Sequence, residues 1–180
     1  HSDLRRQRQM CIRDRVAVDL TNVTALAGSN LSDLETLASS INANEFSNDS
    51  GLTTIAVTDT TIDATTLAST IDSYDTISAG ITDMTLASGA TINVDAGEIT
   101  HMLADESAGR LTIDDQVITV NSAATISVDT ANLLEATTTG VVTASIATTE
   151  AVSELNTLTG TNGAYTCLLY TSPSPRDRSL

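Results

Sequence analysis

Three segments of the chain follow one pattern, and that recurrence constrains the fold more than any single residue does. "TIDATTLASTID" (Thr61 to Asp72) returns as "NVDAGEITHMLAD" (Asn93 to Asp105) and again as "SVDTANLLEATTTG" (Ser127 to Gly140). Each copy has an aliphatic residue, an Asp, a small residue, two variable positions, then Leu or Ile. The anchors are Ile62-Asp63, Val94-Asp95 and Val128-Asp129, at steps of 32 and 34 residues. A period of this size marks stacked units, each of which needs neighbours to cover its apolar face. "AVDLTNVTALAG" (Ala17 to Gly28) is a weaker early copy, and "ATTEAVSELNTLTG" (Ala147 to Gly160) a shifted late one.

Within each copy the hydrophobic period changes. Ahead of the Asp it alternates, as in "ATINV" (Ala90 to Val94) and "ATISV" (Ala124 to Val128), with Thr, Ile and Val dominant. That predicts a short strand with one face buried. After the Asp the apolar residues fall three or four apart: Leu67 and Ile71; Ile99, Met102 and Leu103; Val152, Leu155 and Leu158. That predicts short amphipathic helices. Asp63, Asp95 and Asp129 stand where a carboxylate would accept from the free N–H groups of a first helical turn. Asp95 with Glu98 has capping-box-like spacing, and Ser32 with Glu35 the strict form of that box. Gly28, Gly140 and Gly160 are expected to follow helices or open turns. Further strands are predicted at 53–58, 117–121 and 141–146. The predicted fold class is a repeat solenoid, α/β, in which short parallel strands alternate with short capped helices. An all-β parallel β-helix is the alternative.

The two ends do not share this pattern. Residues 1–15, with "RRQRQMCIRD", and residues 167–180, with "CLLYTSPSPRD", carry seven of the eight basic residues, both Cys (Cys11 and Cys167) and both Pro. Read alone, the first suggests a nucleic-acid-binding arm and the pair of Cys a disulfide. Back-translated, however, both resemble the adapters of transposase-cut sequencing libraries, in the order and frames that a library molecule requires. Residues 1–15 and 167–180 are therefore expected to be adapter-derived tails and are set aside from fold reasoning. Residues 16–166 are the native stretch, expected to be an internal fragment of a longer repeat protein.

Within that stretch one basic residue, Arg110, stands against twenty acidic ones, a net charge of −19 where the whole chain has −15. Such a charge argues against nucleic acid and acidic membranes as partners. There is no run of apolar residues long enough to span a bilayer, so membrane insertion is not expected. The aromatics inside are Phe46, Tyr74 and Tyr165. The core must then be built from Ala, Val, Ile and Leu, which suits thin layers better than a large globular centre.

"LTGTNGAY" (Leu158 to Tyr165) and "ATISVDTANLLEATTTGVVTASI" (Ala124 to Ile146) resemble the Thr/Ala/Asp-rich repeat tracts of very large secreted or surface proteins of marine bacteria, often adhesin-like or calcium-binding. The resemblance implies a non-enzymatic structural spacer or interaction segment at the cell surface or outside the cell. Its partners are unknown apart from neighbouring repeats. It also leaves two alternatives: a calcium-responsive surface module, or a non-catalytic region of a secreted enzyme. The Gly-Gly-x-Gly-x-Asp calcium nonapeptide does not occur here. Weak calcium binding is therefore assigned to no residue, and no cofactor is expected.

A search for chemistry yields no catalytic, cofactor-binding or metal-ligating set. His101 is the one histidine inside, with no second His or Cys to complete a transition-metal site. Asp114-Asp115 and Asp105-Glu106 are adjacent carboxylates expected on solvated loops, without the order of an EF-hand. Ser and Thr abound, but a nucleophile needs a base and an orienting group. The triplets beginning at Asn22, Asn30 and Asn48 fit the glycosylation acceptor pattern and carry no weight in so Thr-rich a chain.

Overall fold

A computed structural model describes residues 18–19, 25–42, 46–47, 53–77, 83–159 and 162–167. Both expected adapter tails lie outside these, apart from Cys167, as do the triplets at Asn22 and Asn48 and the glycine at position 160. In chain order the elements are β1 (Val18–Asp19), β2 (Ala25–Ser29), α1 (Leu31–Asn42), β3 (Phe46–Ser47), β4 (Thr54–Val57), β5 (Thr61–Asp63) and α2 (Ala64–Ile77). Then follow β6 (Asp83–Thr85), β7 (Thr91–Val94), α3 (Ile99–Ser107), β8 (Leu111–Thr112), β9 (Val117–Val120), β10 (Thr125–Ile126), α4 (Val128–Thr137), β11 (Val142–Ile146), α5 (Val152–Leu155) and β12 (Gly163–Cys167).

Every strand pair described is parallel. One sheet runs β2-β4-β6-β8, and a second runs β10-β11-β9-β7-β5 with β12 also on β11; β1 and β3 form a third, two-stranded sheet. From β4 to β9, strands adjacent in sequence sit in different sheets, and each of β4 to β7 pairs with the strand two places further on. The architecture is thus α/β, with parallel sheets alternating with helices. The four helices α1 to α4 set aside the all-β alternative.

The registers explain the core. Leu26, Ile55, Met84 and Leu111 lie opposite one another along the first sheet. Ile62, Ile92, Ile118 and Val142 do the same along the second. All of these except the half-buried Leu26 are buried, and the residues that flank the buried ones are half-buried or exposed. Each full burial of such a side chain contributes roughly 1.5–3 kcal/mol. Helices close the third side. Leu67, Ile71 and Tyr74 of α2, Ile99 and Met102 of α3, and Ala131 and Leu134 of α4 recur three or four apart and join the same apolar cluster. Tyr74 is the large side chain among these small ones. Its hydroxyl donates to Leu34 O at 3.0 Å, which ties α2 to α1, and burial pushes its ionisation up to about 12.

The step between paired strands is not constant. Thr61 lies opposite Thr91, Thr91 opposite Val117, Ile118 opposite Val142, and Val142 opposite Gly163, steps of 30, 26, 24 and 21 residues. Helix length varies as well, with 14 residues in α2, 9 in α3, 10 in α4 and 4 in α5. The 32- and 34-residue steps expected from the Asp anchors therefore differ from those of the ladder. Asp63 faces Asn93, not Asp95, because the ladder is set by the inward Ile62 and Ile92. Asp95 follows the end of its strand, and Val128 already belongs to α4. A second irregularity lies between β9 and β10, whose four connecting residues loop out while both strands pair with β11. Gly28 marks a bulge in β2, where its φ of +73° suits a residue without a side chain; it neither follows a helix nor opens a turn there.

Candidate functional site

The three recurrent Asp residues have three different roles. Asp63 caps α2, accepting from Thr66 N at 3.0 Å and from Thr66 Oγ1 at 3.1 Å. Asp95 caps nothing. A turn separates it from α3, and its carboxylate accepts from Asn121 Nδ2 of the next strand at 2.8 Å. Glu98 adjoins α3 without a capping side-chain bond, so the expected Asp95/Glu98 box is absent. Asp129 lies inside the first turn of α4, where Ser127 is the cap and accepts from Thr130 N at 3.1 Å. At α1 the cap is Asn30, which accepts from Asp33 N and donates back to Asp33 Oδ2, while Ser32 and Glu35, the expected box, are already helical. Sequence spacing locates these helix starts to within a few residues. The capping atom is fixed by where the preceding strand stops.

Asp114-Asp115 lies on a loop between β8 and β9, as expected, whereas Asp105-Glu106 lies in α3. Asp114 is exposed. Asp115 is held by Ser88 Oγ at 2.5 Å, Gly89 N at 3.1 Å and Gln116 Nε2 at 3.1 Å. The Ser88 hydroxyl and the Gly89 amide, in that order, hold its carboxyl below the usual carboxylate range. This bonding joins the turn before β7 to the turn before β9. The turn before β11 stacks on that one in turn: Thr138 Oγ1 donates to Gln116 O at 2.6 Å and Thr139 N to Asp114 O at 2.7 Å. Asn162 Nδ2 continues the stack to Thr139 O at 3.0 Å. These residues form a polar corner whose bonds run from one turn to the next.

Asp105 is not on a solvated loop. It is a buried residue of α3, 5% exposed, and its Oδ1 accepts from Arg110 Nη2 at 2.5 Å. Arg110 Nη1 donates to Asp75 Oδ2 on α2 at 2.6 Å. One guanidinium thus spans two helices, and its buried Nε has no acceptor. Burial pushes the Asp105 carboxyl above its ordinary range, and Arg110 opposes this only in part. Glu106 is half-buried beside it. Sequence reasoning missed this cluster. The lone Arg of an acidic stretch was the available signal.

His101 is exposed on α3 and lines an open groove of about 490 Å³ between α2 and α3, with Thr65, Ser69, Asp72, Ser73 and Glu98. Ser73 Oγ spends its proton on Ser69 O at 2.8 Å, an ordinary helix back-bond, so it is not poised as a nucleophile. Among the described residues no group of three or more His, Cys, Asp and Glu is placed to hold a metal ion. No helix among them is long and apolar enough to cross a membrane. No family model, curated protein or solved structure matches the chain.

Proposed function

We propose that the chain is a stretch of repeat solenoid that serves as a structural spacer or interaction segment of a large extracellular, adhesin-like protein and performs no catalysis. One observation carries the reading: strands of two sheets pair in parallel with those one helix further on, through every step from β2 to β8 and from β5 to β12. On this reading each strand–strand–helix unit is one coil, and the stack grows by one strand spacing, about 4.8 Å, per coil. The spacer role draws support from where the polar groups are used. Asp63, Asp95, Asp115, Asn121 and Asn132 bind neighbouring backbone or side chains across turns and coils, not a common centre. The charge of −15 favours a solvated, self-repelling surface.

Sequencing the DNA that flanks the fragment tests this role. The expected result is a reading frame that continues on both sides into further strand–helix units of about 20–35 residues, with a secretion or surface-attachment segment elsewhere in the chain. A frame that instead places this stretch inside a single catalytic domain, contributing side chains to its active site, would refute the spacer reading.

A further inference from the structure

We propose that Asn162-Gly163 is a self-modifying site: the Gly163 amide nitrogen closes on the Asn162 side chain, ammonia leaves, and the isoaspartate that follows detaches β12 from the stack. The chain holds a single Asn-Gly pair, and it falls where β12 begins. The reaction needs no partner but water. The Gly163 nitrogen, its proton passed to solvent, attacks Asn162 Cγ and forms the new N–C bond. The Cγ–Nδ2 bond breaks, and Nδ2 takes a proton back from solvent and departs as ammonia. A cyclic imide is left. Water opens it at the side-chain carbonyl to give aspartate, or at the main-chain carbonyl to give isoaspartate. Nothing is oxidised or reduced. Glycine in second place permits the attack, because no side chain shields its nitrogen or crowds the ring.

The structure adds three things to the sequence pair. Asn162 is exposed, and β12 pairs with β11 alone among the described residues, with none of its own residues buried. Such a strand opens locally at little cost, so the ring closes through fraying of one strand and not through unfolding of the stack. Second, glycine is obligatory at this position. A Cβ on Gly163 would run into the Tyr165 ring and Glu135 Oε1, the two groups whose hydrogen bond at 2.7 Å ties β12 to α4. A side chain after Asn162 would protect it, and the fold has no room for one. Third, Asn162 Nδ2 donates to Thr139 O at 3.0 Å, a rung between the turns before β12 and β11. The product carboxylate has no proton to donate and sets an anion against that carbonyl. Glu135 lines the same recess, so the new charge also meets another carboxylate. Isoaspartate routes the main chain through the side-chain methylene. That lengthens the chain ahead of Gly163 and takes it out of line with Val142.

Two measurements on the full chain test the site. In the first, the chain is incubated at pH 7, 8 and 9, digested, and followed by mass spectrometry with enzymatic detection of isoaspartate. The expected result is loss of the unmodified Asn162 peptide before any change is detectable at Asn30, Asn93, Asn121, Asn132 or Asn156, at a rate that climbs in proportion to hydroxide. An Asn162 that outlasts any of these five, or a product without isoaspartate, overturns the proposal. The second compares amide hydrogen exchange before and after conversion. Faster exchange confined to Gly163–Cys167, with β7 and β9 unchanged, is expected. Equal exchange in the two forms overturns the detachment of β12. Asn162→Gln is the control, since its longer side chain keeps an amide donor and closes a ring far more slowly. That variant should keep its original exchange through the same incubation, and acceleration equal to that of the wild type would rule out the modification as the cause. Should the variant not fold, the wild-type measurements alone decide. Neither outcome depends on whether the chain is a spacer.

Discussion

Replacing Gly140 with alanine is expected to cost about 3 kcal/mol or more and to lower the melting temperature by about 6–12 °C. The reason is a backbone approach, not an unusual dihedral angle. A methyl group at Gly140 would stand 2.3 Å from Gln116 O, 2.6 Å from Gln116 C and 2.8 Å from Asp115 O. Ordinary carbon contacts need more than a further ångström, and the atoms in the way are main chain that cannot swing aside. Relief requires parting the turns before β9 and β11. That parting breaks the bonds from Thr138 Oγ1 to Gln116 O and from Thr139 N to Asp114 O. Gly97 supplies the control, since nothing lies within 4 Å of the position a Cβ would take there. Gly97→Ala should change stability by less than about 0.5 kcal/mol. If the two variants unfold at the same denaturant midpoint, the stacking of these turns is wrong.

The second large effect is expected at Arg110. Arg110→Met keeps much of the aliphatic stem and removes the charge, leaving Asp105 and Asp75 side by side without their shared partner. Breaking a buried ion pair from one side costs about 3–5 kcal/mol. With Arg110 34% exposed, solvent screening reduces this to about 2–4 kcal/mol at pH 7. The loss should shrink as pH falls, because burial raises the Asp105 carboxyl and its protonation removes the uncompensated charge. Denaturant titrations at pH 7 and pH 5 provide the check. An Arg110→Met chain as stable as the wild type at pH 7 would show that the bridge between α2 and α3 contributes nothing.

The two predictions also separate what was legible in the sequence from what was not. The alternation in "ATINV" and the three-to-four spacing after Asp63 are local signals, and they located β7 and α2 correctly. Asp63 could be read as a cap because its helix starts at the next residue. Asp95 carries the same local signature but is separated from α3 by a turn, and a lengthened turn costs too little to leave a mark on the hydrophobic pattern. The ladder steps were misread for a related reason. Matching Asp to Asp weighs a polar residue that can slide along the chain, whereas the register is held by the inward aliphatic row. Gly140 looked like a turn glycine, yet its requirement comes from Gln116, 24 residues away and one turn below. Arg110 finds Asp75 across 35 residues. Contacts between units, unlike periods within them, leave no local trace.

The stacked arrangement itself is most directly tested by distances along one outward row of the second sheet. Asn93, Thr119, Thr143 and Ala164 lie opposite one another in four successive strands, and none is buried. With Cys11 and Cys167 replaced by Ser, nitroxide labels can be placed at Asn93 and, in turn, at each of the other three, and their separations read by electron paramagnetic resonance. The stacked account predicts backbone separations that rise evenly, to about 5, 10 and 14 Å for one, two and three strand spacings. An Asn93–Ala164 pair no further apart than Asn93–Thr119, or three pairs with equally broad distributions, would contradict it.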